Sequence, residues 1–362
     1  MNSATSPAIT VIVPTRGRVE MLERCLRALD QQEGAPAFET IVTVDGPDAG
    51  ESEAARRATN TTSARVLTGP PRGPAVARNR AIESAQAPLL LLLNDDVVPA
   101  PTLLREHLRA HEALDRDALV LGSSPWQRPD DETLFDRMVF DTSTIFFYDT
   151  MDRAEDRHSR DWGYRHAWTL NLSIPTRLAR SCGAFSTEMS RPVYEDLEFA
   201  WRATRSGAPV TYHPDACVVH HHRYTPGQLL RRDVLLGHQA ARLAQINPAC
   251  ARDMFGRDVL AFEERDRADW FVRTQRSAAL RSAALLHEAA ALPCGAIDGD
   301  HPDHLLRTAY QSSLLARRAC WHAGLLAAHD GVPVDALDPI ADEFTQGERT
   351  PVRHPERIPA AT

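Results

Sequence analysis

The sequence predicts an α/β fold in which helices cover both faces of a parallel sheet. Two observations carry this prediction. Short β-branched or aliphatic runs alternate with segments of helical spacing over residues 9–93, which is typical of parallel strands joined by crossover helices. The run Leu89–Leu93 is apolar at every position, so we expect both faces of that strand to be buried and the strand to lie centrally.

Local patterns predict the amino-terminal elements. Ile9–Val13 is β-branched and ends before Pro14, which predicts a buried strand. In Val19–Gln31 the apolar residues recur at helical spacing, which predicts an amphipathic helix. The same reasoning predicts, in order, strand Phe38–Val44, a short helix Ala54–Ala58, strand Ala64–Leu67, helix Pro74–Ala85 and strand Pro88–Leu93.

The later elements are less regularly spaced. They are helix Thr102–Leu114, strand Ala118–Leu121, irregular residues 123–165, strand Trp168–Ile174, helix Glu195–Ser206 and short strands Pro209–Tyr212 and Ala216–Val219. From Pro226 the chain is rich in Ala, Leu and Arg, with helical spacing to about His329. We therefore predict an α/β domain over residues 1–225, an α-helical carboxyl-terminal region over 226–330 and a Pro-rich, loosely packed or disordered tail over 331–362.

The charge balance and the absence of lysine exclude several classes of protein. The chain of 362 residues has 49 acidic side chains against 41 basic ones, all of them arginine, for a formal net charge of −8. Schiff-base enzymes, pyridoxal-phosphate enzymes and P-loop proteins need a lysine and are excluded. The acidic balance argues against binding to nucleic acid, while arginine clusters remain available to bind phosphate.

Cysteine spacing and hydropathy predict a cytoplasmic protein. No two of the six cysteines have CxxC spacing, so we expect reduced thiols and no zinc site. No signal peptide is visible, and Leu89–Leu93, the longest aliphatic run, is too short to cross a bilayer. Gln228–Arg242 combines leucine with arginine, which leaves two alternatives: a helix packed on the α/β domain, or peripheral contact with an anionic membrane. The sequence leaves the oligomeric state open.

Three polar motifs follow predicted strands or open a predicted helix. Asp95–Asp96 ends the central strand, where a carboxylate pair favours Mg²⁺ or Mn²⁺; a polar turn is the alternative. Glu195–Asp196 opens a helix and could supply a general base or cap the helix. In His220–His222, alternation places His220 and His222 on one face, as ligands for a metal such as Mn²⁺ or as a polar strand end.

Seven segments occur in a recognisable order over roughly residues 8–225. They are Val11–Arg18, Val42–Gly46, Gly73–Ala81, Leu92–Pro99, Thr169–Ile174, Tyr194–Arg202 and Pro214–His220. In this order and spacing they resemble family 2 of the inverting, nucleotide-sugar-dependent glycosyltransferases. The resemblance implies a GT-A fold, which is a mixed sheet flanked by helices. It also implies transfer of a sugar from a UDP-, GDP- or dTDP-linked donor to a saccharide or another hydroxyl-bearing acceptor.

The resemblance implies six donor-binding residues, which are Thr15, Arg16, Asp45, Arg78, Asn94 and Asp95. Asp45 would contact the base of the donor nucleotide. Thr15 and Arg16 would lie beside the nucleotide, and Arg78 would help to hold the donor. Asp95 would face the donor sugar or the ribose.

The resemblance also implies a metal site and a base. Asp96 would bind Mn²⁺ or Mg²⁺, with His220 completing the site and His222 in reserve. Asp196 would act as the general base, with Glu195 beside it.

Two departures from the family pattern narrow the expected function. Asn94 stands where the first aspartate of the DxD motif is usual, and its amide could still hold the ribose. The QxxRW-type motif and the transmembrane helices of processive synthases are absent, which predicts transfer of one sugar or a few. Two alternatives stay open: a non-catalytic GT-A-like protein that binds a glycan or a nucleotide sugar, and a different sugar-nucleotide enzyme.

Overall fold

The computed structural model describes residues 6–46, 56, 64–296 and 302–345. The chain forms two compact units. The first consists of the residues up to Asp130, Val139–Arg223 and Gln239–Ala261; the second consists of Asp131–Met138, Tyr224–His238 and the residues from Phe262 onward. The predicted division into residues 1–225, 226–330 and 331–362 rests on composition and stays a prediction.

The first unit is built on a mixed sheet of eight strands among the described residues. The strands are β1 Ile9–Thr15, β2 Phe38–Asp45, β3 Ala64–Gly69, β4 Leu89–Leu93, β5 Val97–Pro99, β6 Leu119–Ser123, β7 Asn171–Pro175 and β8 Val210–His220. They lie in the order β3-β2-β1-β4-β7-β6-β8-β5. The α/β prediction and the implied mixed sheet are confirmed.

A wholly parallel sheet, in contrast, is wrong. The strands β3, β2, β1 and β4 run parallel, as expected from their crossover helices. The strand β7 runs antiparallel to both of its neighbours, and β5 runs antiparallel to β8. Apolar periodicity reveals that a segment is a strand but carries no information on its direction, which depends on how the intervening chain returns to the sheet.

The helices alternate with these strands and then dominate the carboxyl-terminal part. In the described residues they are α1 Val19–Asp30, α2 Pro74–Ser84, α3 Leu103–Glu112, α4 Leu134–Asp141, α5 Tyr148–Arg153, α6 Thr176–Ser181, α7 Glu195–Thr204, α8 Pro226–Ile246, α9 Pro248–Phe255, α10 Phe262–Ala291, α11 Pro302–His329 and α12 Asp338–Thr345. The helical carboxyl-terminal region is confirmed. None of the helices in the described ranges has the length and apolarity that crossing a bilayer requires.

Several local predictions differ from the structure. Residues 123–165, expected to be irregular, contain α4 and α5, and the short elements α6 and β5 were not predicted. The two short strands predicted after residue 208 form the single strand β8, because its register shifts between His213 and Cys217 and so accommodates Pro214 without a ladder hydrogen bond. The predicted helix Ala54–Ala58 lies outside the described residues except for Arg56, which is helical.

Part of the predicted loose tail is packed. The helix α12 lies within it, and Ala341 and Phe344 are buried. Residues 346–362 of this tail lie outside the described residues.

The central strand β4 fixes the core of the first unit. All five of its leucines are buried, and it lies between β1 and β7. On α1 the residues Leu22, Cys25, Leu26 and Leu29 are buried, as the helical spacing predicts. The polar residues that follow β4 are therefore carried at the end of a fully buried, central strand.

A buried polar network lies between α3 and β7. His107 Nδ1 is 2.8 Å from Ser173 Oγ, and His107 Nε2 is 2.8 Å from Asn171 Oδ1. Asn171 Nδ2 donates to the carbonyl oxygens of Ser123 and Ala216. Burial lowers the pKa of His107 to about 3, so the imidazole is neutral in the folded protein.

The second unit contains a close helix crossing between α8 and α11. A Cβ on Gly237 would lie 1.8 Å from the carbonyl oxygen of Trp321, and a Cβ on Gly324 would lie 1.9 Å from that of Val234. Asp233 accepts a hydrogen bond from Arg317 Nε at 2.8 Å in the same helix pair. The two glycines let the backbones approach, and the ion pair fixes the register.

The neutral state of His107 predicts acid sensitivity. Its pKa is lower in the folded than in the unfolded protein, where it is about 6.5, so the unfolded state takes up a proton first as the pH falls. We expect this histidine to cost about 1.4 kcal/mol of unfolding free energy per pH unit as the pH falls from about 6.5 towards 4. Urea denaturation of wild type and His107→Gln should show that the variant loses this part of the pH dependence. The exposed control His158→Gln should keep it, and an equal slope in both variants would contradict the assignment.

The helix crossing predicts a cost for one added methyl group. Gly324→Ala should lower the unfolding free energy by about 1–3 kcal/mol, because the methyl group would overlap a backbone carbonyl. Gly295→Ala is the matched control, since a Cβ at that position meets nothing within 4 Å. Thermal or urea unfolding measures both, and a stabilised Gly324→Ala protein would disprove the close packing.

Candidate active site

Four strands bring the candidate residues together. Thr15 and Asp45 are the last residues of β1 and β2, and Asn94–Asp96 follows β4 directly. His220 is the last residue of β8, where it pairs with Val97. Carboxyl ends of adjacent parallel strands meet at one edge of a sheet, so the predicted donor and metal residues share this edge.

Asp95 and Asp96 are both buried, and one guanidinium contacts both carboxylates. Arg18 Nη2 lies 2.5 Å from Asp95 Oδ1, and Arg18 Nη1 lies 2.5 Å from Asp96 Oδ2. Thr15 Oγ1 donates to Asp95 Oδ2 at 2.7 Å. The carboxylate pair is thus held by a cation of the protein itself.

Two histidines lie on the other side of Asp96. His220 Nε2 is 3.6 Å from Asp96 Oδ1, and His222 Nδ1 is 3.8 Å from Asp96 Oδ2. Both rings therefore face the same carboxylate, as the alternation along the strand predicts. His221 instead donates its backbone N–H to the carbonyl oxygen of Asp96 at 2.8 Å.

The imidazole of His220 is held by an aromatic stack. Its ring centroid lies 4.3 Å from that of Trp126, which in turn stacks on Phe140 at 5.2 Å. The backbones are also paired, because His220 N–H donates to Pro125 O and Gln127 N–H donates to His220 O. This contact was not predictable from the sequence, since spacing along the chain does not reveal the partner of an isolated tryptophan.

The two aspartates differ in their pKa. Burial raises the pKa of Asp95 to about 6, against the opposing charge of Arg18. Burial also disfavours the charged form of Asp96, but the facing imidazole of His220, with the charges of Arg18 and His222, holds its pKa below the usual range. Asp96 is therefore the carboxylate that is anionic over the whole physiological range, as a metal ligand must be.

A second guanidinium joins the DxD-like segment to Glu195, the residue next to the predicted base Asp196. Arg78, on α2, is 4% exposed. Its Nη1 donates to Glu195 Oε1 at 3.0 Å and its Nη2 to Asn94 Oδ1 at 3.3 Å. The structure thus brings Arg78, Asn94 and Glu195 together around one planar group.

The segment before Glu195 has an unusual backbone. Tyr194 has a φ of +66°, in the left-handed region that a tyrosine adopts only when its surroundings enforce it. Directly after it, α7 begins with Glu195, which is buried, and Asp196, which is half-buried. Burial and the adjacent charge of Asp196 raise the pKa of Glu195, and burial raises the pKa of Asp196.

The carboxylate of Asp45, at the end of β2, faces the loop that precedes α2. Its carboxylate accepts hydrogen bonds from the backbone N–H groups of Arg72 and Gly73. Arg16 Nη1 lies 3.9 Å from the same carboxylate and is otherwise exposed. A Cβ on Gly73, whose φ is +94°, would lie 2.1 Å from the carbonyl oxygen of Ser190, so this loop and the segment before α7 are in direct backbone contact.

The donor set around Asp96 fits a divalent cation. Asp96 Oδ1 is buried, accepts no hydrogen bond and faces the imidazole of His220. A carboxylate oxygen and an imidazole nitrogen are ligands that suit Mn²⁺. The residues present are therefore compatible with the implied metal.

A second group with the geometry of a metal site is formed by residues of α3 and of the middle of β8. The ligand atoms of Glu106, His213 and Asp215 lie within 4.8 Å of one another. Glu106 already accepts hydrogen bonds from Arg105 Nε and Arg109 Nη1. Two guanidinium groups on one carboxylate satisfy its charge, so this group is less suited to a dication than the Asp96 site.

The aromatic residues near the site are largely buried. Trp126, Trp162 and Trp168 are each at most 9% exposed, and Tyr164 is half-buried. Packing accounts for these three tryptophans better than a sugar-stacking surface does. Arg18 lies within the matching segment Val11–Arg18, but only the structure shows that it, unlike the neighbouring Arg16, contacts both aspartates.

Comparison with known proteins finds one matching family and several related glycosyltransferases. Residues 10–168 match the family described as glycosyl transferase family 2. The validoxylamine A glucosyltransferase of Streptomyces hygroscopicus subsp. limoneus is 27% identical over 234 residues, which cover 58% of this chain and 51% of that protein. Glycosyltransferase AglE of Haloferax volcanii is 25% identical over 256 residues, covering 70% of this chain and 79% of that protein. The chain spans about half the length of the validoxylamine A glucosyltransferases it matches.

A solved structure shares the fold. The mannosyltransferase PcManGT from Pyrobaculum calidifontis, in complex with GDP-Man and Mn²⁺, superposes with a TM-score of 0.51 at 18% identity. The superposition covers 91% of this chain and 88% of that one. The likeness therefore extends to the GT-A architecture of the sheet and its helices.

The buried Arg78–Glu195 pair predicts a stability effect. Arg78→Met should lower the unfolding free energy by about 3 kcal/mol, because Glu195 would keep a buried carboxylate without its cation. Adding Glu195→Gln should restore part of the loss. Arg27→Met, which breaks an exposed pair with Glu23, is the control and should change stability by less than about 0.5 kcal/mol. Urea unfolding measures all three variants, and equal effects of Arg78→Met and Arg27→Met would refute the role of the buried pair.

Proposed function

Since residues 10–168 belong to glycosyltransferase family 2, we propose that this protein transfers a sugar from a nucleotide-diphosphate donor to an acceptor hydroxyl with inversion at the anomeric carbon. The observation that carries the proposal is the arrangement at the end of β4. There the Asp95–Asp96 pair and His220 lie beside Asn94, which shares the guanidinium of Arg78 with Glu195. A cation site and a carboxylate base at one sheet edge are what displacement of a diphosphate by a hydroxyl requires.

The metal site of the proposal consists of Asp96 and His220, with His222 within reach. Mn²⁺ or Mg²⁺ held by these residues would offset the negative charge that develops on the departing nucleoside diphosphate. Asp96 supports this role because it is anionic, and the Trp126 stack supports it because it fixes the imidazole of His220.

The general base of the proposal is Asp196. The acceptor oxygen forms a bond to the anomeric carbon, its proton passes to the Asp196 carboxylate, and the bond from that carbon to the diphosphate oxygen breaks. A half-buried carboxylate with a raised pKa accepts this proton more readily than an ordinary surface aspartate. Glu195 is a poorer candidate, because Arg78 already occupies Oε1; we assign it to positioning.

The donor nucleotide lies, in this proposal, along the ends of β1 and β2. Thr15, Arg16, Asp45 and Asp95 line that edge. Asp45 is bonded to backbone N–H groups of the loop before α2, so it would shape the base-binding loop as well as contact the base. Arg78 is too buried to reach the donor freely and would act by orienting Asn94.

The proposal specifies the donor and the acceptor by chemical class. A UDP-, GDP- or dTDP-linked sugar is the proposed donor, and a saccharide or other hydroxyl-bearing molecule the proposed acceptor. The cytoplasmic location and peripheral membrane contact remain predictions from the sequence.

The base assignment predicts a loss of transfer without a loss of donor binding. Asp196→Asn should lower the rate of sugar transfer by about 100-fold or more, because the amide cannot accept the proton. Its affinity for the donor nucleotide should stay within about twofold of wild type. The rate is measured as nucleoside diphosphate release from a panel of nucleotide sugars with Mn²⁺, with water or simple glycosides as acceptors.

The matched control for this prediction is Asp115→Asn, which changes an exposed aspartate. It should transfer at the wild-type rate, and the configuration of the product anomer should be opposite to that of the donor. Full activity of Asp196→Asn would disprove the base assignment. Donor binding by wild type with no turnover of any donor would favour the non-catalytic alternative.

A further inference from the structure

The guanidinium of Arg18 contacts Asp96, the carboxylate that would bind the proposed divalent cation, and also contacts Asp95. It lies within 2.5 Å of an oxygen of Asp95 and within 2.5 Å of an oxygen of Asp96. Arg18 Nε adds a third contact, to Asp95 Oδ2 at 3.3 Å. This residue is therefore the resident cation of the carboxylate pair.

Like charge opposes the simultaneous binding of Arg18 and a divalent ion at Asp96. Two carboxylates carry at most two negative charges, and the guanidinium already neutralises one. A dication placed beside it would meet a like charge at a few ångströms, in a site whose carboxylates are buried from screening water. The two cations therefore compete for Asp96, with Arg18 at Oδ2 and His220 facing Oδ1.

Arg18 is the partner that can leave. Its side chain is 44% exposed, whereas those of Asp95 and Asp96 are 0% and 7% exposed. It stands at the start of α1 next to Gly17, in the turn that follows β1. Asp95 keeps its hydrogen bond from Thr15 when Arg18 moves, so one carboxylate stays in place.

From these contacts we propose that Arg18 and the divalent cation exchange at the Asp95–Asp96 pair. In the metal-free protein Arg18 keeps the two carboxylates from repelling each other and stabilises the end of β4. Metal binding displaces it, so the observed metal affinity is the intrinsic affinity reduced by the free energy of removing the guanidinium. The inference rests on the metal site of the proposed function.

Metal binding itself tests the exchange, without any activity measurement. Mn²⁺ affinity is measured by calorimetry, and by the spin-resonance signal of free Mn²⁺, for wild type, Arg18→Gln, Arg18→Lys and Arg16→Gln. We expect Arg18→Gln to bind Mn²⁺ at least about tenfold more tightly than wild type, because no guanidinium has to be displaced. Arg18→Lys, with a single mobile charge, should fall between them.

Arg16→Gln is the matched control. Arg16 lies two residues away, is 66% exposed and approaches Asp45 at 3.9 Å. Its Mn²⁺ affinity should equal that of wild type, which separates a specific exchange from a general change of charge.

Thermal unfolding gives an independent readout. Without metal, Arg18→Gln should melt below wild type, because two buried carboxylates lose their cation. Saturating Mn²⁺ should raise the melting temperature of Arg18→Gln by more than that of wild type. If Arg18→Gln does not fold, the Arg18→Lys affinity decides, since it must still exceed that of wild type.

Three results would overturn the exchange. They are equal or weaker Mn²⁺ binding by the Arg18 variants, equal stabilisation of all variants by Mn²⁺, and absence of Mn²⁺ binding in every variant. Sugar transfer by wild type in the presence of a chelator tests the proposed function separately. Transfer that persists there would remove the metal from the mechanism but leave the glycosyltransferase proposal standing.

Discussion

Two adjacent buried carboxylates at the end of the central strand are the constraint on which the rest of the site depends. Asp95 and Asp96 directly follow the fully buried strand β4 and are themselves buried, so repulsion between their charges would be costly. Every element around them supplies compensation. The end of β1 contributes Thr15, the turn after it contributes Arg18, and the end of β8 contributes the histidines. Contacts from three separate elements thus offset the charge of these two carboxylates.

The molecule treats its second acidic pair differently. Glu195 is tied to a buried guanidinium, whereas Asp196 stays half-buried beside it. Adjacent carboxylates that ionise in different surroundings can divide their work, one holding structure and the other moving a proton. The left-handed backbone of Tyr194 lies directly before this pair, at the start of α7. Arg78 donates one hydrogen bond to Asn94, which precedes the first acidic pair, and one to Glu195 of the second pair.

Local pattern predicted most strands and helices of the first unit, because apolar periodicity at Ile9–Val13 or Val19–Gln31 reports burial directly. It could not give the direction of β7 or the continuity of β8 through Pro214, which depend on contacts distant in sequence. Motif order gave the residues of the candidate site. What it could not give was their partners: an arginine that contacts two aspartates looks, in sequence, like an arginine in water. The stacking of Trp126 on His220 was hidden for the same reason.

That stack has a thermodynamic consequence for the loop that follows β6. Residues 125–127 hold His220 through a ring contact and two backbone hydrogen bonds, and they lead into the irregular segment that begins the helices α4 and α5. Whatever reorganises this loop must also reposition the imidazole that faces Asp96. Linkage is reciprocal, so a molecule that binds this loop and a cation that binds the imidazole would change each other's affinity by the same factor. The ring contact between Trp126 and His220 thus links this loop to the imidazole that faces Asp96.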